Sequence, residues 1–151
     1  MNGNSEFMLV TGGAGFIGSH LVERLLNDGE SVVVIDDLST SNLENLHAVR
    51  DHPRFRFIRA HVSDCKDLTE LAANAESIFH LAAAVGVELV LRSPIQTIRT
   101  NLDDTSIILA AASRHRVPVL FASSSEVYGK STKEVFSEDD DLLIGPPHLN
   151  H

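Results

Sequence analysis

The residues best placed to do chemistry begin with three glycines, Gly12, Gly15 and Gly18, behind the apolar run Phe7-Met8-Leu9-Val10-Thr11. A turn of this kind, leading from a strand into a helix, aims backbone N–H groups at an anion. Gly12 permits the tight turn, Gly15 lets the backbone approach a pyrophosphate, and Gly18 lets the helix pack close to the strand. Such a pattern is specific only in context. Here a strand precedes it, a helical pattern follows, and Asp36-Asp37 closes the next apolar run about twenty residues on. Asp36 is placed to accept hydrogen bonds from an adenosine ribose. Asp36 and Asp37 together repel a 2′-phosphate, and no Arg directly follows them, which favours NAD over NADP. For Asp37, a plain loop cap is an equal reading.

Other candidates are weaker one by one. Asp64 is open to two readings, a bond to an adenine amino group or a helix cap. Cys65 is the lone cysteine and reads as a small buried residue. Ala82 and Ala83 suit a place where a cofactor's ribose and nicotinamide pass close to the backbone. The eight histidines show no metal-ligand spacing, and His80 reads as a satisfied core histidine. Glu138-Asp139-Asp140-Asp141 reads as a solvated acidic loop.

These residues need a scaffold, and strands alternate with helices along the chain. Residues 7–11 form the first strand. Ile17, Leu21, Val22, Leu25 and Leu26 then repeat at helical spacing, and Asp28-Gly29 stops that helix, with Gly29 suited to a left-handed turn. Ser31 to Ile35 is the second strand. Ser41 followed by Glu44 suggests a capping box for a short helix carrying Leu43, Leu46 and Val49. Phe55 to Val62 contains the third strand, and Leu68, Leu71, Ala72 and Ala75 mark another short helix. Glu76 to Leu81 is the fourth strand. Ser93-Pro94 starts a long helix with serine as cap, its expected buried stripe being Ile95, Ile98, Leu102, Leu109 and Ala112. Val119 to Ala122 is the fifth strand. Alternation of this kind builds an α/β, Rossmann-type doubly wound parallel sheet of expected order 3-2-1-4-5. Ligands bind such a sheet beyond the C-terminal ends of its strands. Gly12, Asp36, Asp64, Ala82-Ala83 and Ser123-Ser124-Ser125 all fall at such ends. The expected organisation is a flexible start at 1–7, a dinucleotide-binding domain at 8–129, and an acidic, proline-containing tail at 130–151.

Composition narrows the class. At 151 residues with 43% hydrophobic residues, one domain with a real core is expected. A net charge of −9 argues against nucleic acid and anionic membrane surfaces as partners. One cysteine allows no intrachain disulfide, no apolar run is long enough for a membrane span, and no signal-peptide layout opens the chain. A cytoplasmic location is the expectation.

In combination, Thr11-Gly12-Gly13-Ala14-Gly15-Phe16-Ile17-Gly18, Asp36-Asp37-Leu38-Ser39, His80-Leu81-Ala82-Ala83, Asn101 and Ser123-Ser124-Ser125-Glu126-Val127-Tyr128-Gly129 resemble the extended short-chain dehydrogenase/reductases. More narrowly they resemble the nucleotide-sugar epimerase/dehydratase family. The resemblance implies that Gly12, Gly15, Phe16, Ile17 and Gly18 hold the NAD pyrophosphate, and that Asp36, Asp37, Leu38, Ser39, Thr40 and Ser41 surround the ribose. It implies Asp64 and Cys65 at the adenine, and Leu81, Ala82, Ala83 and Val85 on the nicotinamide side. Asn101 and Ser123 join the cofactor-binding set. Ser124 matches the residue that bonds the sugar's reacting hydroxyl. Ser125 and Glu126 match the pair that varies with chemistry, and Ser-Glu is closest to decarboxylase-like and some epimerase-like members; a 4,6-dehydratase would carry Asp-Glu. The substrate implied is a UDP- or dTDP-linked sugar. The family's Tyr-x-x-x-Lys base is expected after a loop like Gly145-Pro146-Pro147, yet the sequence stops at His151, and Thr132 stands where a Lys would have to follow Tyr128. The expectation is therefore an N-terminal portion, inactive alone and prone to self-association through the fifth strand's edge or the long helix.

Overall fold

A computed structural model describes residues 7–84 and 87–143. The chain divides into two units, Met1–Phe121 and Ala122–His151. The first holds all five strands: β1 (Phe7–Thr11), β2 (Val32–Asp36), β3 (Phe55–Arg59), β4 (Ala75–His80) and β5 (Val119–Phe121). They form one sheet of order β3-β2-β1-β4-β5, every pairing parallel, as the alternation of patterns predicts. Its helices are α1 (Phe16–Asn27), α2 (Leu68–Asn74), α3 (Val87–Arg92) and α4 (Pro94–His115). Of the expected flexible start at 1–7, only Phe7 lies among the described residues, and it opens β1.

Strand side chains alternate between the two faces, so each face of the sheet has its own core. Leu9, Val33, Ile35 and Ile78 pack with Leu68, Leu71, Ala72, Ile108, Ala111 and Ala112 of α2 and α4. Val10, Val32 and Val34 pack with Val22 and Leu26 of α1 and with Leu46 and Val49. Burial on both faces explains why the central strands are unbroken apolar runs.

Helix α1 ends as its sequence predicts. Gly29 has φ +98°, its N–H reaches Leu26 O at 3.2 Å, and the Glu30 N–H reaches Leu25 O at 3.0 Å. That is a Schellman closure. Helix α4 closes in the same way around Arg116, which takes the left-handed conformation at φ 56° without being glycine.

Three local expectations change. The segment after β2 is a 3-10 turn, Leu43–Leu46, and its cap is Asn42, whose side chain accepts from the Glu44 N–H at 3.0 Å. Ser41 does not cap it, because its hydroxyl donates to Asp36 at 2.7 Å. Ser93 sits at the N-cap of α4 with Pro94 behind it, but its side chain makes no capping bond; its carbonyl instead accepts from the Thr97 N–H and hydroxyl. Most consequentially, α4 is rotated from the expected phase. Ile95, Ile98, Leu102 and Leu109 are between 49% and 69% exposed, and the buried flank carries Thr97, Asp104, Ile108, Ala111 and Ala112. The helix has two candidate stripes. Packing against α2 selects the one with the smaller side chains, which lets the two helix backbones approach closely.

The second unit has a 3-10 turn, Ser125–Tyr128, followed by irregular chain. Tyr128 stacks on Phe136 with ring centroids 4.9 Å apart, Lys133 pairs with Asp140, and Gly129 bridges to Leu143. The described part of residues 130–151 contains no helix or strand beyond that bridge.

Candidate functional site

Beyond the C-terminal strand ends of the first unit lies a cleft of about 230 Å³. Each wall comes from one strand end or from α4. Gly12 follows β1; Ile35, Asp36, Asp37, Ser39 and Thr40 follow along β2; Ala60, His61 and Val62 follow β3. Ala82, Ala83 and Ala84 follow β4, and Thr100 and Asp104 reach in from α4. The cleft sits where strand order reverses, between β1 and β4, and extends across β2 to β3.

The glycine turn is built for close approach. Gly12 has φ +71°, and a Cβ there would lie 2.6 Å from the Ala82 nitrogen. A Cβ on Gly18 would lie 2.2 Å from the Gly12 carbonyl oxygen, so only glycine lets α1 start this close to the turn. Gly15 is the N-cap of α1, with no side-chain cap and no acidic residue in the first turn. The first N–H groups of α1 are thus left for an outside acceptor, in the positive field of the helix end. Phe16 and Ile17, on that first turn, are exposed.

Asp36 ties this turn to the loop after β2. One carboxylate oxygen accepts from the Ala14 N–H at 2.9 Å; the other accepts from the Leu38 N–H at 2.9 Å and the Ser41 hydroxyl at 2.7 Å. Leu38 itself has φ 64°. Asp37 accepts from the Ser39 N–H at 2.8 Å, the loop-capping role. Burial pushes the Asp37 carboxyl up, but the Ser39 hydroxyl and amide and the nearby His61 outweigh it, and the net shift is down.

On the β4 side the backbone is pinned at Leu81, Ala82 and Ala84. The Leu81 N–H donates to Thr11 O at 3.0 Å and the Ala82 N–H to the Thr11 hydroxyl at 3.3 Å. The Ala84 N–H donates to Asn101 Oδ1 at 2.7 Å, and Asn101 Nδ2 donates to Ala84 O at 3.1 Å. Asn101 therefore shapes the alanine wall from behind. His80 is the satisfied core histidine the sequence suggests: Nδ1 is 2.7 Å from the Thr11 hydroxyl, Nε2 is 3.4 Å from that of Thr105, and burial lowers its pKa.

Gly12, Asp36, Asp37, Ser39, Thr40, Ala82 and Ala83 of the sequence-derived set line the cleft together. Leu38 and Leu81 adjoin these residues in the chain, Ser41 donates to Asp36, the Gly15 N–H donates to the Gly12 carbonyl at 3.2 Å, and Asn101 bonds to Ala84; Phe16, Ile17 and Gly18 form the first turn of α1 after Gly15. Asp64 and Cys65 stand apart from the lining. Asp64 is an exposed member of the 3-10 turn Val62–Asp64, and α2 starts only after Asp67. Cys65 is half-buried, and burial pushes its thiol up. Val85 lies outside the described residues. Ser123, Ser124, Ser125 and Glu126 belong to the second unit, where Ser124 caps the turn by accepting from the Glu126 N–H at 3.3 Å.

Sequence reasoning missed Ala60, His61, Val62, Thr100 and Asp104 as lining residues. The first three follow directly after β3, where the topology rule points. Asp104 was legible only as a carboxylate on the stripe that turned out to be buried. Among the described residues no cluster of three or more His, Cys, Asp or Glu could hold a metal, and no helix is long and apolar enough to cross a membrane.

A glycine turn, a carboxylate at the end of β2 and an alanine wall at the end of β4 are joined in one cleft. The sequence profile of one family, described as GDP-mannose 4,6 dehydratase, matches residues 9–144. The chain belongs to that family. A UDP-N-acetyl-alpha-D-glucosaminuronate decarboxylase from Bacillus cytotoxicus is 42% identical over 137 residues, covering 91% of this chain and 42% of the relative. A UDP-N-acetylglucosamine 4-epimerase from Methanobrevibacter ruminantium, solved with UDP-N-acetylmuramic acid, superposes with a TM-score of 0.83 at 32% identity, over 93% of this chain and 45% of the other. A dTDP-glucose 4,6-dehydratase from Streptomyces venezuelae, solved with NAD and TYD bound, gives a TM-score of 0.81 at 34% identity, over 90% and 45%. The chain thus spans less than half the length of these GDP-mannose dehydratase-family relatives. They are nucleotide-sugar enzymes of the extended short-chain dehydrogenase/reductase type.

Proposed function

We propose that the cleft binds NAD, and that this chain is the cofactor-binding portion of an enzyme that remodels a UDP- or dTDP-linked sugar. The observation that carries the reading is the joining of the uncapped start of α1, Asp36 and the Ala82–Ala84 wall around one cleft. The residues fit the cofactor. A side chain at Gly12 or Gly18 would fill the space the turn keeps closed, while Gly15 meets nothing nearer than 3.3 Å and leaves its side open. Phe16, Ile17 and Gly18 would offer N–H groups to the pyrophosphate. Asp36 retains lone-pair capacity for a ribose hydroxyl, and Ser39, Thr40 and Ser41 stand beside it. The alanines leave room for the nicotinamide half.

When bound, NAD supplies transient removal and return of a hydride at the sugar's C4. The family resemblance gives Ser124 the sugar's reacting hydroxyl and Ser125 and Glu126 the groups that set the outcome. Ser-Glu supports an epimerase- or UDP-glucuronate-decarboxylase-like reaction, hence isomerase or lyase chemistry. Removal of a hydride requires a base for the hydroxyl proton. The 151 residues contain no Tyr-x-x-x-Lys. A polypeptide of this sequence alone binds NAD and turns over no UDP- or dTDP-sugar. Titration calorimetry with NAD and an assay with a panel of such sugars test both halves; absence of NAD binding overturns the first, and any turnover the second.

A second reading is a non-catalytic dinucleotide-binding module in the cytoplasm. Reading the coding sequence beyond His151 separates the two. We also propose self-association. Leu120 and Phe121 on edge strand β5 and the outer flank of α4 are exposed and apolar. A monodisperse monomer in light scattering overturns this.

A further inference from the structure

The structure assigns the far end of the cleft a reader of the adenine base: we propose that Asp104, held by the His61 ring, accepts the base's exocyclic amine. The inference rests on the dinucleotide reading of the cleft. Along the strand ends, β1 offers the phosphate turn and β2 the ribose carboxylate, so β3 is where the base arrives. There, Ile35, Ala60 and Val62 supply apolar surface for a flat ring.

Asp104 is only 4% exposed and lies on the buried flank of α4 among Thr97, Ile108 and Ala111. A carboxylate in that position is costly unless it is paired and hydrogen-bonded. The His61 ring faces it, with Nε2 3.4 Å from Oδ2. His61 is oriented from its other side. Nδ1 lies 3.0 Å from the Ser63 hydroxyl and accepts from the Ser63 N–H at 3.4 Å. A ring whose Nδ1 accepts carries its proton on Nε2, and Nε2 faces Asp104. The ring thus fixes the carboxylate without using its full acceptor capacity. Ionised, Asp104 takes donors alone. An amine satisfies it; the carbonyl that hypoxanthine carries at the same position does not. The nearby charges on Asp37, Asp64 and Asp103 add further negative potential, which suits a neutral donor.

The test compares NAD with nicotinamide hypoxanthine dinucleotide by titration calorimetry on the full 151-residue chain. The expected result is about ten- to hundredfold tighter binding of NAD, the value of a hydrogen bond to a charged group. Asp104→Asn, whose amide can turn to donate, should bring the two affinities to within about threefold, chiefly by improving the hypoxanthine analogue. A purely structural role for Asp104 would lower both affinities together and keep the ratio, and that result overturns the proposal. If Asp104→Asn does not fold, wild type decides: equal binding overturns the base reader while leaving the dinucleotide cleft standing. Failure of both dinucleotides to bind overturns the cleft reading and this inference with it.

Discussion

The side-chain amide of Asn101 is joined to both backbone polar groups of Ala84, accepting from its N–H at 2.7 Å and donating to its carbonyl at 3.1 Å. The pairing mimics one rung of a sheet ladder, made by a helix side chain. It holds the last described residue of the segment after β4, the wall along which a nicotinamide would lie. Asn101→Ala should therefore cost about 1–3 kcal/mol in stability, since two partly buried backbone groups lose their partner. NAD affinity should fall as well. Asn101→Asp keeps the acceptor and loses the donor, so its denaturation midpoint should lie between the two. Urea unfolding of all three proteins checks the order.

Two glycines of the turn should respond in opposite ways to the same added methyl. A Cβ at Gly18 collides with the Gly12 carbonyl at 2.2 Å and with Gly13 Cα at 2.7 Å, both backbone atoms that cannot rotate away. Gly18→Ala is expected to destabilise the fold by about 3 kcal/mol, the scale of overpacking. Gly15 has φ −72°, open to any residue, and its nearest contact is 3.3 Å. Gly15→Ala should melt close to wild type and bind NAD more weakly, because the methyl occupies the side a phosphate must approach. Calorimetric melting paired with NAD titration separates the two.

Asp104 makes stability depend on pH in a predictable direction. Burial raises its pKa above the unfolded value, and the attraction of His61 only partly offsets this. Between the unfolded and folded values the native state binds more protons, so the group's contribution falls as pH rises, and the full penalty stands above the folded pKa. Asparagine carries no such charge. Asp104→Asn should be more stable than wild type near pH 7, with the gap closing toward about pH 4, where the unfolded carboxyl also protonates. Melting curves at a series of pH values check the slope; a gap that does not change with pH would mean the carboxylate is not paying for its burial.

What the sequence carried well was local. The strand β1, the glycine turn and helix α1 were readable because two of the turn's glycines are demanded by the backbone: φ +71° at Gly12 and the 2.2 Å approach at Gly18. The order β3-β2-β1-β4-β5 followed from alternation and handedness, which need no side-chain detail. Less was legible at α4. Its apolar residues define two flanks, and hydrophobic periodicity alone does not say which one meets α2. The stripe of Ile95, Ile98, Leu102 and Leu109 was the more hydrophobic, yet it faces outward.

The same uncertainty hid half of the cleft. Asp36 is announced by its place at the end of an apolar run, and Ala82-Ala83 by theirs. His61 and Asp104 lie 43 positions apart and become a pair only when α4 is laid against the turn after β3. The sequence by itself determined a parallel sheet with a glycine turn at its centre, because strand pattern and glycine geometry act between near neighbours. Only the tertiary structure decided which face of α4 is buried, and with it which carboxylate meets His61, because that choice depends on how closely two helix backbones can pack.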